Sequence, residues 1–253
     1  MRVLAGVDGC KGGWVAAVRA APSEPIRLSV HAAFADLVET LGPTATIAVD
    51  MPIGLPERID GSGRVAERAV RGLLRGRQSS VFSIPGRAVV ESIPPMFHDE
   101  LHRRESHRAA SDLARTLSTP PRGVSIQGYM LFRKILEIDV LLRASPALAA
   151  RIVESHPELA FAILNDGEPM ALPKKMKNRA HPAGLAERRA LLAAHGVPER
   201  AMAPPLPAGA GVDDVLDALA MLLVAERVAD GRARPFPDPP GRDAHGLPIA
   251  IWA

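Results

Sequence analysis

The sequence has few of the residues from which disulfide-bonded and zinc-thiolate proteins are built. Its 253 residues include one cysteine, Cys10. A single thiol excludes a disulfide within the chain, and it also excludes any zinc site that needs two or more thiolates. Secreted proteins often carry disulfides, so this composition fits a reducing compartment best.

Long apolar segments are also missing. The first apolar run meets Asp8 before the hydrophobic core of a signal peptide could form. The charge-free stretch between Asp217 and Glu226 is far too short to cross a bilayer. We therefore expect a cytoplasmic protein with no membrane partner.

Charge and overall composition are close to those of an average globular protein. Hydrophobic residues make up 47% and charged residues 23%, which excludes wholesale disorder. The 31 basic and 28 acidic side chains give a formal net charge of +3. This small excess permits nucleic acid or another polyanion as a partner without requiring one.

Apolar runs and turn residues predict a mixed α/β fold. Glycine-rich turns at hairpin spacing separate three apolar runs before residue 35, which predicts three consecutive antiparallel strands. The later elements are a helix over 34–41, a strand over 46–49, a helix within 99–117, a helix over 129–143, a strand from 152, helices over 184–195 and 212–228, and a proline-rich coil after 231. This order implies a mixed sheet with helices on both faces.

The domain organisation follows from where this alternation is interrupted. We expect a single domain over residues 1–253, since the chain is long enough for one large core. An arginine-rich helical insertion is expected at about 53–122, and a second insertion at about 166–210. The sequence contains no internal repeat.

Two aspartates end apolar strands. Asp8 follows the run Val-Leu-Ala-Gly-Val, and Asp50 follows Ile-Ala-Val. Open α/β sheets bind their ligands at the carboxyl ends of strands, so both positions are candidates for a functional site. For either aspartate alone, a role in capping a turn is an equally good interpretation.

The segment DDVLDALA supplies two more acidic residues. Asp214 and Asp217 are three residues apart, opposite the apolar stripe of a predicted helix. Because alanine, methionine and valine replace the usual charges on that side, the helix should be buried together with Asp217. Asp213 and Asp214 suit a helix start, but Asp217 lies one turn further in. A buried carboxylate without a partner costs several kcal/mol, so Asp217 is expected to need a cation.

These carboxylates would repel one another if the fold brought them together. Repulsion would raise their pKa values, and Mg²⁺ or Mn²⁺ would relieve it by binding carboxylate oxygens. Two such ions can assist an in-line phosphoryl displacement by activating a water and stabilising the leaving oxygen. The predicted catalytic and metal-binding residues are Asp8, Asp50, Asp214 and Asp217.

Five segments resemble the DUF429 family: GVDGCKGGWVAA, AVDMPIGLP, RGRQSSVFSIP, ESHPELAF and DDVLDALA. The similarity runs from Gly6 to about Ala229. It implies a predicted nuclease with a ribonuclease H-like fold, in which a five-stranded mixed sheet carries helices on both faces and two insertions. Where the family usually has an aspartate before the arginine segment, this chain has Glu67.

The wider superfamily implies roles for the same acidic residues. Holliday-junction resolvases of the RuvC type carry one acid on the first strand, one on the fourth, and an Asp-x-x-Asp pair on the last helix. By resemblance, these roles fall on Asp8, Asp50, Asp214 and Asp217. The HPE motif is also shared with the DUF429 family, and it favours Glu158 as a further catalytic carboxylate. His156 could act as a proton shuttle, although a histidine beside proline is more often a turn residue.

Basic residues outside these motifs suggest a substrate-binding surface. Between residues 64 and 87 there are six arginines and one acid, and the first four arginines recur at helical spacing. Such a face could bind phosphates, with hydroxyl groups and the ring of Phe82 adding contacts, or it could be a plain solvated surface. The predicted substrate-binding residues are Arg64, Arg68, Arg71, Arg75, Arg77, Ser79, Ser80, Lys174 and Lys175. Lys177 belongs to the same lysine cluster, which could instead serve solubility.

Three functions are compatible with these features. The first is a metal-dependent nuclease acting on DNA or RNA. The second is a phosphotransferase of the actin and sugar-kinase type, holding nucleotide phosphate at the glycine-rich turn over residues 9–13; such kinases usually have a duplicated domain and a longer chain. The third is a nucleic-acid-binding module without catalysis. The sequence does not predict the oligomeric state.

Overall fold

The computed structural model describes residues 2–21, 23–176 and 179–253. The strands in these ranges are β1 (Leu4–Cys10), β2 (Gly13–Arg19), β3 (Arg27–His31), β4 (Thr46–Val49), β5 (Ile59–Asp60), β6 (Ser118–Thr119), β7 (Ile152–Glu154), β8 (Lys175–Met176), β9 (Arg179–Ala180), β10 (Pro235–Arg242) and β11 (Pro248–Trp252). The α-helices are α1 (Phe34–Leu41), α2 (Val65–Arg71), α3 (Arg87–Glu91), α4 (Glu100–Thr116), α5 (Ile126–Ala144), α6 (Pro146–Ala149), α7 (Pro157–Leu164), α8 (Pro182–Ala194) and α9 (Val212–Ala229).

Five strands form the central sheet in the order β3-β2-β1-β4-β7. The pairs β1–β2 and β2–β3 are antiparallel, whereas β1–β4 and β4–β7 are parallel. Gly13 makes the tight first hairpin possible because its φ of 117° lies in the region that favours glycine. The mixed five-stranded sheet confirms the predicted α/β fold class and is consistent with a ribonuclease H-like fold.

Helices cover both faces of this sheet. On one face, Val7, Ile47 and Val49 pack with the apolar side chains of α1, α3 and α5. On the other face, Val15 and Ala48 pack with α7, α8 and α9. Each face buries its own apolar cluster, which explains why the central strands are apolar on both sides.

Helix α9 is buried for most of its length, as its composition predicts. Every residue from Val215 to Ala225 is buried, including Asp217. Gly6 in β1 allows the helix to approach the sheet closely, because a Cβ atom at Gly6 would overlap the backbone of Ala218 and Leu222. This close approach brings the first turns of α9 to the edge where β1 and β4 end.

The remaining elements lie in three segments. Residues 50–125 contain β5, β6, α2, α3 and α4, and residues 165–211 contain β8, β9 and α8. The predicted coil after 231 is wrong, because β10 and β11 pair there as an antiparallel ribbon. Edge strands tolerate proline, which has no N–H to donate.

Within the described ranges, no helix is both long and apolar enough to span a membrane.

Candidate functional site

Three aspartates from separate elements meet at the carboxyl edge of the parallel strands. Asp8 lies near the end of β1, Asp50 directly follows β4, and Asp217 lies in the second turn of α9. One carboxylate oxygen from each lies within 4.8 Å of the other two. We call Asp8, Asp50 and Asp217 the acidic cluster; it contains three of the four aspartates singled out from the sequence.

The strand register explains how two of these residues become neighbours. Val7 is aligned with Val49 in the parallel pair, and the amide of Asp50 donates to the carbonyl of Val7 at 2.9 Å. The residues that follow these partners, Asp8 and Asp50, therefore emerge side by side. Asp217 joins them from above the sheet through the close packing of α9 against β1.

Burial and mutual repulsion shift the pKa values of the cluster upward. Burial raises the pKa of Asp8 well above its ordinary value, and the charges of Asp50 and Asp217 raise it further. Burial also raises the pKa of Asp50 to about 7 and that of Asp217 to about 6, with Lys174 opposing both shifts. At neutral pH, all three carboxyl groups are ionised only if a positive charge lies close to them.

Lys174 supplies part of this positive charge. Its Nζ contacts Oδ2 of Asp217. Burial alone would lower the pKa of Lys174, but the charges of Asp217 and Asp8 outweigh burial and raise it. Oδ1 of Asp217 is buried and has no hydrogen-bond partner among the described residues. One ammonium group thus faces three carboxylates, and one buried oxygen is left without a donor.

The donor set of the acidic cluster fits a hard divalent cation. All three side chains offer carboxylate oxygens, which Mg²⁺ and Mn²⁺ prefer. A cation would also satisfy the buried Oδ1 of Asp217, since a buried oxygen without a partner is unfavourable. Asp8, Asp50 and Asp217 are therefore the residues that could hold such an ion.

A cavity of about 190 Å³ opens beside Asp8 and Asp50. Lys134 lines it and donates through Nζ to the carbonyl of Gly13 at 2.5 Å. His156 also lines it, with Nε2 3.2 Å from the carbonyl oxygen of Ser80. Burial lowers the pKa of His156, so the ring is neutral at physiological pH. Sequence reasoning missed Lys134, because it lies in a helix, α5, whose pattern predicts only packing.

The family model described as "Protein of unknown function (DUF429)" matches residues 6–242. The chain belongs to the DUF429 family. No curated protein and no solved structure gives a significant match. The family description states no activity.

Asp214 does not join the acidic cluster. Its Oδ2 accepts a hydrogen bond from the backbone amide of Gly211 at 2.9 Å, which satisfies a free N–H at the start of α9. Its charge still contributes to raising the pKa of Asp8. The structure thus places Asp214, predicted from the sequence as a metal ligand, at a helix-capping position at the rim of the site.

Glu158 also lies outside the acidic cluster. Both of its carboxylate oxygens accept hydrogen bonds from one guanidinium nitrogen of Arg188, at 2.6 and 2.8 Å. Arg188 belongs to α8 and is fully buried. The structure places Glu158, predicted from the sequence as a catalytic carboxylate, in a buried ion pair rather than among the converging oxygens. Arg188 itself carried no sequence signal beyond an arginine among apolar residues.

Arg64 is buried between two glutamates and is not exposed on an arginine-rich surface. It is 1% exposed and lies between two glutamates, 2.7 Å from Glu67 and 2.6 Å from Glu154. The charge of Glu67 thus belongs to this buried ion-pair arrangement. Glu154 was missed because it stands at the start of a motif in which Glu158 is the more conspicuous acid.

Most of the other predicted substrate-binding arginines hold loops together. Arg68 donates to the carbonyl of Gly63 at 2.8 Å, and Arg77 donates to the carbonyl of Ala171 at 2.7 Å. Arg71 donates to Oγ of Ser83 at 2.7 Å. These side chains do not share one helical face, because α2 ends at Arg71.

The remaining predicted binding residues have different positions. Arg75 is exposed and makes no side-chain hydrogen bond to any residue that the structure describes. Ser79 is exposed, and the hydroxyl of Ser80 donates to the carbonyl of Arg77 at 2.8 Å. Lys175 pairs with Asp213 at 2.5 Å. Lys177 lies outside the described residues. Among the predicted basic residues that the structure describes, only Lys174 directly contacts the acidic cluster.

Proposed function

We propose that this DUF429 protein is a nuclease that uses Mg²⁺ or Mn²⁺ to hydrolyse phosphodiester bonds in nucleic acid. The observation that carries the proposal is the convergence of three carboxylate oxygens, from β1, the end of β4 and α9, within 4.8 Å. Such crowding of buried acids is unfavourable for folding, and pKa values shifted in this way are typical of functional sites.

The residues of the site would have separate roles in the hydrolysis. Asp8, Asp50 and Asp217 would hold the cation through their oxygens. When bound, the cation would supply Lewis acidity and make a nearby water easier to deprotonate. Lys174, whose ammonium group contacts Asp217, and Lys134, which lines the cavity beside Asp8 and Asp50, would attract and orient the substrate phosphate. Asp8 and Asp217 are buried and Asp50 is half-buried, which strengthens these charge interactions.

The test combines metal binding with cleavage. We expect calorimetry on chelator-treated protein to show Mn²⁺ binding that Asp50→Asn and Asp217→Asn each weaken at least tenfold. Labelled single- and double-stranded DNA and RNA should be cut with Mg²⁺ or Mn²⁺ but not in chelator. Asp214→Asn is the matched control, because the structure places that carboxylate on the amide of Gly211. This variant should bind Mn²⁺ like the wild type.

Two results would overturn the proposal. One is the absence of divalent-metal binding at millimolar concentration, and the other is full cleavage activity in Asp50→Asn. Transfer of phosphate from a nucleotide without nucleic-acid cleavage would instead support the phosphotransferase function. Nucleic-acid binding without cleavage at any metal concentration would support the non-catalytic module.

A further inference from the structure

Binding of a phosphate group alone does not explain the composition of the cavity beside the acidic cluster. Most of its wall is apolar, and such a surface suits the flat face of an aromatic ring rather than an anion. The apolar lining residues are Met51, Pro52, Val81, Phe82, Ile84, Leu131 and Ile251. Phe82 is 36% exposed, which leaves part of its surface free for stacking.

His156 gives the same cavity a polar edge. A backbone carbonyl only accepts hydrogen bonds, so the contact with Ser80 O requires that Nε2 of His156 carries the proton. Nδ1 of the neutral ring is therefore an acceptor. It is buried and has no hydrogen-bond partner among the residues described. A ligand N–H would satisfy this nitrogen, which is otherwise unfavourably placed.

The size of the cavity limits what can enter. Its volume of about 190 Å³ is smaller than the pockets of roughly 300–1,000 Å³ that hold drug-sized molecules. A space of this size suits a single planar ring system. A nucleic-acid duplex cannot enter a space of this kind.

We propose that this cavity binds one nucleobase, stacked near Phe82, with an N–H group of the base donating to Nδ1 of His156. The inference rests on the proposed nuclease function and adds the form of the substrate. A base inside a duplex is stacked and paired, so the scissile nucleotide must be unpaired or turned out of the helix. Lys134, on the same cavity wall, then faces the attached phosphate.

Binding of uncharged nucleosides tests this inference without metal or cleavage. Ligand-observed NMR and calorimetry, in chelator, would compare adenosine, guanosine, cytidine and uridine with ribose as the control. At least one nucleoside should bind at least tenfold more tightly than ribose. Equal binding of ribose and all four nucleosides would overturn the inference.

Two substitutions at His156 distinguish the roles of its two ring nitrogens. His156→Gln keeps an N–H close to the position of Nε2, so the bond to Ser80 can persist, but it lacks the acceptor at Nδ1. We expect it to weaken nucleoside binding at least fivefold. His156→Asn places an oxygen close to Nδ1 and should bind more tightly than His156→Gln. Phe82→Ala, at a partly exposed ring, provides a second variant and should also weaken binding at least fivefold.

The outcomes distinguish this inference from the nuclease function itself. Nucleoside binding that depends on His156 and Phe82 supports the base-binding cavity even if no metal binds and no strand is cut. Metal-dependent cleavage together with wild-type nucleoside binding by folded His156→Gln and Phe82→Ala variants would overturn the cavity assignment alone. Faster cleavage of single strands than of duplexes would add support.

Discussion

At Asp50, burial and neighbouring charge act on one carboxyl group. Burial is the largest cause of its raised pKa, Lys174 opposes the shift, and the charges of Glu154 and Glu158 add to it. Both glutamates are themselves paired with arginines, Glu154 with Arg64 and Glu158 with Arg188. Neutralisation of these glutamates by arginine leaves Lys174 as the cation in direct contact with the acidic cluster.

The raised pKa of Asp50 predicts how stability changes with pH. The pKa is about 7 in the folded protein against an ordinary value of 3.8. The stabilising contribution of the protonated form is therefore present below about pH 4 and lost as the pH rises through 7. In chelator, Asp50→Asn should be more stable than the wild type by about 2 kcal/mol at pH 8, and close to it at pH 4.

Urea unfolding at both pH values measures this difference. Asp36→Asn, at an exposed aspartate of α1, is the control for replacing an aspartate by asparagine at a site without burial. Mn²⁺ should stabilise the wild type more than Asp50→Asn at pH 8. A difference between Asp50→Asn and the wild type that is the same at pH 4 and pH 8 would contradict the electrostatic account.

At the scale of elements, the contact between β1 and α9 positions the site. Gly6 lies against the backbone of α9, and Asp217 reaches the strand ends only because the helix lies this close. Sequence patterns could predict both elements, since apolar periodicity depends on local residues. They could not predict the small distance between them, because a glycine in a strand does not show what packs against it.

Gly6→Ala should separate the helix from the sheet. The added methyl group would overlap backbone atoms of Ala218 and Leu222, and backbone cannot move aside as a flexible side chain can. We expect a loss of about 1–3 kcal/mol in unfolding free energy, as for other overpacked cores. Mn²⁺ affinity should also fall at least fivefold, because Asp217 moves away from Asp8 and Asp50.

Gly72→Ala is the matched control for this prediction. Gly72 has a φ of −64°, and no atom would lie within 4 Å of an added Cβ. Alanine should be neutral or slightly stabilising there. If Gly6→Ala binds Mn²⁺ as tightly as Gly72→Ala, the close approach of α9 is not what positions Asp217.

The fold as a whole is tied together by buried arginines that sequence reasoning assigned to the surface or overlooked. Arg64 pairs with Glu67 and Glu154, and thereby joins the residue 50–125 segment to β7 of the central sheet. Arg188 joins α8 to α7 through Glu158. Between residues 64 and 87 the sequence contains six arginines and one acid, but Glu154, which neutralises Arg64, is distant in sequence. This explains why the fold class and three aspartates could be predicted, while the role of the arginines could not.

Arg87 extends the same arrangement. It pairs with Asp139 of α5 and with Asp243 between β10 and β11, both at 2.8 Å. The first inserted segment is therefore fixed to a core helix and to the carboxyl-terminal ribbon. Buried ion pairs of this kind do not necessarily add stability over apolar residues, but loss of one partner leaves an unpaired buried charge.

Arg64→Met should consequently destabilise the protein by about 3–5 kcal/mol, because Glu67 and Glu154 would remain buried without their cation. Arg75→Met, at an exposed arginine, should change the unfolding free energy by less than about 0.5 kcal/mol. Urea unfolding at pH 7 measures both. The triple variant Arg64→Met, Glu67→Gln and Glu154→Gln should recover much of the loss, because it removes the unpaired charges along with the arginine. If Arg64→Met keeps its stability and instead loses only nucleic-acid affinity, Arg64 contacts substrate and the structural role assigned to it is wrong.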